Sequence, residues 1–290
     1  MLNKNFNLKN LLVGLGAVAT SVAMNANVIT EDVVTPNEDK ITVETAQEAG
    51  NINWKQWALM VPVDSGLGIS TILKGKSFKK RRNDDNIKKF FKQNSNNTYE
   101  LKARFTGITE DGEFGENQGK YSSSELIEVY SPKGSPKGET NYWSNKGIHV
   151  LKSRMKAYKA NGISTTYLSR IVSIDKEGNE FDKIRIMWRD GYILAEVHEN
   201  FNGGSRYKRT KVAEVGENMF NFQLKMTNGI VSLSIQCKNT GADRKNEQIA
   251  KFNKSVNSKN LFRIGNFYKN DQNSDDSITV QLKYVTLTHA

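Results

Sequence analysis

The feature that most constrains this chain is a recurring unit: a short run of alternating apolar and polar residues, a tight turn, and a second such run. Ile184 to Trp188 and Tyr192 to His198 alternate on either side of Arg189-Asp190-Gly191. Phe220 to Met226 and Ile230 to Ile235 repeat the pattern around Asn228-Gly229. Ile171 to Ile174 runs into Lys176-Glu177-Gly178-Asn179, while Tyr99 to Phe105 and Ile278 to Leu287 alternate almost throughout. A period of two sends successive side chains to opposite faces of a strand. Asp-Gly and Asn-Gly supply the positive φ angles that two-residue hairpins require. These units predict an all-β fold, a jelly-roll sandwich of two antiparallel sheets or a close relative. Residues 51–290 are expected to form one domain, since sandwiches of this size commonly stay single. No internal sequence repeat is present.

The N-terminal residues read differently. Lys4 and Lys9 precede an apolar stretch from Leu11 to Val22, and small residues follow. This is the pattern of a signal peptide over residues 1–23, with cleavage after Ala23 or as late as Ala26. The stretch is shorter than the roughly twenty apolar residues of a membrane span, so no span is expected in the mature protein and the expected location is secreted or periplasmic. Residues 24–50 read as an acidic, flexible linker, because Asn27 to Gly50 carries six carboxylates against Lys40 alone and lacks the large apolar residues that a core needs. From Asn51 onward the net charge is about +14, which suggests a polyanionic partner. For a protein outside the cytoplasm an acidic polysaccharide fits better than nucleic acid. Cys237, the one cysteine, sits on the apolar side of an alternating run and reads as a buried hydrophobe. With one cysteine and with His149, His198 and His289 widely scattered, no metal or cofactor is expected. The chain is expected to be a monomer.

Lys74 to Lys92 stands apart, with nine basic residues against Asp84 and Asp85. Phe78, Ile87, Phe90 and Phe91 punctuate it, so part is expected to lie as a short amphipathic helix over the sandwich. Whether its cations are merely solvated or touch a glycan stays open at this level.

Several segments, in order, resemble the alginate lyases of polysaccharide lyase family seven. Trp57-Ala-Leu-Met-Val-Pro-Val-Asp64 is similar to that family's opening strand. Ser123-Ser124-Glu125-Leu126-Ile127-Glu128 resembles its Arg-Ser-Glu-Leu-Arg-Glu motif, and Trp143 with Gly147-Ile148-His149 resembles its Trp, Gly and His before a long strand. Val215-Gly216-Glu217 through Asn228-Gly229 is similar to its Gly-Glu-x-Phe strand and Asn-Gly hairpin. Leu261 to Phe267 resembles Tyr-Phe-Lys-Ala-Gly-x-Tyr, and Tyr284 to His289 its closing strand. The resemblance implies a concave glycan-binding groove and β-elimination on a uronate chain. In that reaction the C5 proton is abstracted beside a carboxylate and the 4-linked sugar leaves. It needs positive charge at the carboxylate, a base for the proton and an acid for the departing oxygen.

Against the family pattern, the first Arg position is Ser123 and the second is Ile127, while Glu125 is retained. The Gln-Ile-His segment aligns with Arg170-Ile171-Val172, and the catalytic Tyr position is Phe267. Val has no proton-accepting group and Phe has none to donate. The candidate proton handlers are therefore Tyr268, which reaches the groove side only if a bulge re-aims it, and Tyr167. Arg170 is the candidate carboxylate clamp. Ser123, Glu125, Arg263 and Lys269 are the candidate substrate contacts. Two functions follow: a lyase on alginate or a related polyuronate with an altered catalytic set, or a catalytically silent acidic-glycan-binding or matrix protein on the same fold. A glycoside hydrolase needs a facing carboxylate pair, and Glu125 and Glu128 fall on opposite strand faces.

Overall fold

The computed structural model describes residues 52–104, 106–109, 112–113, 121–130, 142–161, 164–199, 206–254, 257–269 and 277–290. The expected signal peptide and acidic linker lie outside these residues. In chain order the first elements are β1 (Trp57–Asp64), β2 (Ser70–Leu73), α1 (Gly75–Arg81), α2 (Asp85–Lys88), β3 (Phe91–Gln93) and β4 (Tyr99–Arg104). The short β5 (Ile108–Thr109) and β6 (Gly112–Glu113) follow, then β7 (Tyr121–Glu128), β8 (Ile148–Asn161), β9 (Thr165–Ile174) and β10 (Glu180–Arg189). The remainder is β11 (Tyr192–His198), β12 (Tyr207–Glu214), β13 (Phe220–Thr227), β14 (Ile230–Cys237), β15 (Ala242–Lys251), β16 (Lys259–Lys269) and β17 (Ser277–His289).

The long strands form two antiparallel sheets, in the orders β12-β11-β10-β9-β16-β7-β1-β2 and β15-β14-β13-β8-β17-β4-β3. This is the jelly-roll sandwich that the alternation predicts. One face of each strand fills the space between the sheets: Ile184, Ile186 and Trp188 of β10, Phe220, Phe222 and Leu224 of β13, and Val231, Leu233, Ile235 and Cys237 of β14 are all buried there. The hairpin turns form as expected, with Asp190 and Gly191 at φ 48° and 86°, and Asn228 and Gly229 at 49° and 83°. Gly229 is required sterically as well, because a Cβ there would lie 2.2 Å from the Phe252 carbonyl oxygen.

The basic stretch folds as the two short helices. α1 packs on β1 and β2, and α2 on β1 and β3, so they close the side of the sandwich where one sheet ends in β2 and the other in β3. Phe78, Ile87, Phe90 and Phe91 point into the core, and the Trp54 ring stacks on Phe78 at 3.7 Å. Asp84 caps α2 by accepting from the Asn86 N–H at 2.9 Å.

β7, β16 and β9 are neighbours in the middle of the eight-stranded sheet. Segments 123–125, 263–267 and 167–172, far apart in sequence, therefore lie side by side. Asn266 fixes the central strand: its amide donates to the carbonyls of Leu101 (2.9 Å) and Ile278 (2.8 Å), both in the opposite sheet, and accepts from Thr166 Oγ1 at 2.7 Å. Lys183 is buried in the sandwich (1% exposed). Its Nζ donates to Asn145 Oδ1 and Asn260 Oδ1, each at 2.9 Å, and lies 4.8 Å from the Phe252 ring centre. Burial pushes its pKa down to about 8.

Candidate active site

Side chains on the outer face of the eight-stranded sheet, away from the core, form one continuous chain of ion pairs. Ser123 Oγ donates to Glu125 Oε2 at 2.6 Å. Arg170 binds the same carboxylate through both Nε (3.1 Å to Oε1) and Nη2, a bidentate pair of the strong kind. Its Nη1 donates to Asp182 at 2.9 Å, and its guanidinium lies 3.7 Å from the Phe267 ring centre. Asp182 also pairs with Arg185 Nε at 2.9 Å. Arg185 Nη1 lies 3.8 Å from Glu196, which in turn accepts from Arg209 Nε at 2.8 Å. Arg263 pairs with Glu180 on the same face.

Along this chain exposure rises toward β12. The Arg170 side chain is 5% exposed, that of Arg185 15% and that of Arg209 45%. Arg185 stacks over Tyr207 at 3.8 Å and donates to the Tyr167 hydroxyl at 3.2 Å. Burial works against its charge, but Asp182 foremost, then Tyr207 and Tyr167, outweighs burial and raises its pKa above the ordinary arginine value.

The expected site residues divide into those the fold brings together and those it does not. Ser123, Glu125, Arg170, Arg263 and Tyr167 share the outer face. Lys269 pairs through its backbone with Tyr121 at the end of β16. Tyr268 does not reach this face: its ring is buried in the core. The pairing of β16 with β9 is irregular between Ile264 and Phe267, but that irregularity lies upstream, and Tyr268 keeps the inward side that alternation gives a residue next to Phe267. The expectation of Tyr268 as proton handler is corrected accordingly. Arg170 sits on the right face, but Glu125 and Asp182 already engage its guanidinium. Gly265 explains how closely β16 and β7 meet here, since a Cβ on it would fall 2.6 Å from the Ser124 carbonyl oxygen.

The register also shows which residue of β9 faces position 267. Phe267 pairs with Ser123 on one side and Tyr167 on the other, so these three form a row across three strands. Val172 pairs with Leu261, five residues along β9 from Tyr167, or about 15 Å at a strand's rise. A base at C5 and an acid at the oxygen leaving C4 must be closer than that. The residue of β9 that faces position 267 is therefore Tyr167, not Val172. Sequence spacing does not show this, because the extra residue at Leu168 is visible only in the pairing.

A second cluster joins residues that look scattered in sequence. His149 and His289, 140 residues apart, meet Nδ1 to Nδ1 at 2.7 Å. His289 Nε2 lies 2.7 Å from Glu128 Oε1, and the other Glu128 oxygen accepts from Trp143 Nε1 (2.9 Å) and the Phe262 N–H (2.7 Å). Burial foremost lowers the pKa of His149. The neutral ring then donates from Nε2 to the Lys146 carbonyl at 2.7 Å and accepts from His289 at Nδ1. His149 stacks flat on Trp143 at 4.3 Å. Glu128 thus faces away from Glu125, so the two do not form a hydrolase pair.

A profile of the alginate lyase family, described simply as alginate lyase, matches residues 52–289. No curated protein matches the chain. Among solved structures, alginate lyase A1-II′ of polysaccharide lyase family seven is similar at 19% identity and TM-score 0.63, covering 84% of this chain and 98% of its own. The alginate lyase from Klebsiella pneumoniae is similar at 17% identity and TM-score 0.65, with 82% and 97% covered. An alginate lyase from Pseudomonas aeruginosa is similar at 14% identity and TM-score 0.62, with 82% and 100% covered. At these identities the likeness establishes the fold.

Proposed function

The chain belongs to the alginate lyase family, and on that premise we propose that it acts outside the cytoplasm on alginate or a related polyuronate, cleaving it by β-elimination at a rebuilt site. The observation that carries the reading is the row Ser123–Phe267–Tyr167, in which Tyr167 faces position 267 with its hydroxyl held by Arg185. A guanidinium beside a phenol favours the phenolate, which serves as a base. Tyr167 takes the C5 proton, the C–H electron pair becomes the C4–C5 double bond, and the C4–O bond breaks toward the departing sugar. The same phenol then returns the proton to that oxygen. Arg185, more exposed than Arg170 and already bonded to the Tyr167 hydroxyl, supplies positive charge next to the developing enolate.

A single phenol replaces two dedicated groups, each worth about a hundredfold to ten-thousandfold, so turnover is expected to be low. The measurement is the ultraviolet absorbance of the unsaturated product from alginate. Tyr167→Phe should abolish it, and Arg185→Met should lower it and move its pH optimum upward. Robust turnover that survives both changes rules the site out.

One observation favours a second reading, a silent acidic-glycan-binding protein: Arg170 is saturated by Glu125 and Asp182 and covered by Phe267. Tight binding of alginate without any unsaturated product would select it.

A further inference from the structure

We propose that the α1–α2 cap is a second docking surface for the acidic polysaccharide, separate from the outer-face site; this rests on the reading that the ligand is a polyuronate. Residues 74–92 hold nine cations and two carboxylates, a net of +7 out of the whole chain's +11. Lys76, Lys79, Lys80, Arg82, Lys88, Lys89 and Lys92 are all exposed. Asp84 and Asp85 are engaged by Arg81 and Lys88. Among the described residues no carboxylate pairs with Lys76, Lys79, Lys80, Arg82 or Lys92. Cations without protein partners hold a counterion atmosphere, and a polyanion that displaces it gains the released ions' entropy.

The chemistry of the surface selects a sugar chain over other polyanions. A hollow of about 610 Å³ is lined by the cations Arg82, Lys88 and Lys92, the amides Asn83, Gln93 and Asn94, and Phe91. Guanidinium and ammonium groups there match carboxylates, and the three amides match hydroxyls. A membrane-surface helix would present apolar residues, and a single-strand nucleic-acid site would present aromatic rings for stacking. The helices present neither, because Phe78 and Ile87 are buried, and Phe91, which lines the hollow, is only 3% exposed, too little to stack on a base.

The position is also favourable. α1 packs against β2, the last strand of the sheet that carries Tyr167. A chain laid along the row Tyr167–Phe267–Ser123 crosses β16, β7, β1 and β2, about 19 Å at the usual strand spacing, and then meets α1. Long chains therefore touch both regions, whereas a trisaccharide occupies only the first.

The test uses the full chain with Lys79, Lys80, Arg82 and Lys92 each changed to Gln, and a control with Lys238, Lys245, Lys251 and Lys254 changed to Gln, which removes the same charge elsewhere. Binding of long alginate and of an alginate trisaccharide is measured across salt concentrations. For long alginate the cap variant should bind at least about tenfold more weakly, with a salt slope shallower by about three, by analogy with nucleic acids. Trisaccharide binding and the control should be unchanged. Equal weakening of the control would reduce the effect to net charge and overturn the proposal. So would an unchanged slope, no binding of long alginate by the natural protein, or preferential binding of the natural protein to anionic vesicles. If the trisaccharide is bound but never cut while the cap variant still loses affinity for long alginate, the cap stands and only the catalytic reading fails.

Discussion

The outer face of the eight-stranded sheet and the α1–α2 cap are both rich in lysine and arginine, yet they treat those charges in opposite ways. On the outer face Arg170, Arg185 and Arg263 are nearly buried, each against a carboxylate. On the cap the cations stand in solvent, most without an acidic neighbour. Buried guanidinium groups need partners because the cost of removing them from water is several kcal/mol each; exposed ammonium groups do not. Positive charge on this molecule thus has two uses: internal, where it organises side chains around Tyr167, and external, where it remains available to a polyanion.

The contrast breaks first on stability. Glu125→Gln should cost about 3–5 kcal/mol in urea unfolding, because it strips the buried Arg170 of a partner. A loss below about 1 kcal/mol would mean that Arg170 does not depend on Glu125 and is free for a ligand. Lys183, a buried cation held by amides instead of a carboxylate, sharpens the comparison. Its pKa falls from 10.5 unfolded to about 8 folded, so the unfolded chain binds more protons between those values and stability rises with pH across that window, by about 3 kcal/mol. Lys183→Met should flatten the rise; a parallel curve would show that the ammonium is solvated. His149 gives the same sign at lower pH. Its folded pKa lies below the unfolded value, so stability should decline as the solution is acidified below about 6.5. His149→Gln should remove part of that decline, read as the change in unfolding midpoint between neutral and acid buffers. Smallest of all, Lys80→Gln on the cap should shift stability by less than about 0.5 kcal/mol, checked in the same urea titration.

The turns were legible because their chemistry is local. Asp190-Gly191 and Asn228-Gly229 need positive φ whatever surrounds them, and both adopt it. The helices over the core were legible from Phe78 and Ile87 among lysines. Two features were not. The partnership of Tyr167 with position 267 depends on one irregular residue, Leu168, inside a strand whose composition shows nothing unusual. The meeting of His149 with His289 depends on which strands become neighbours across 140 residues. Alternation fixes which side a residue faces, but it does not determine its neighbour on the next strand. The strand segments themselves could be read, whereas the site arises from their pairing.

Asn266 carries a consequence for how this site could change over time. Its amide anchors β16 to two carbonyls of the opposite sheet, and none of those bonds involves residue 267. The backbone at that position is held whether the ring bears a hydroxyl or not. Chemistry on the outer face can therefore be gained or lost by single substitutions, while the frame that aims it stays in place. By that logic Phe267→Tyr should place a phenol beside Ser123 and Tyr167 without disturbing the fold, and this family member would stand one oxygen atom away from a two-phenol site.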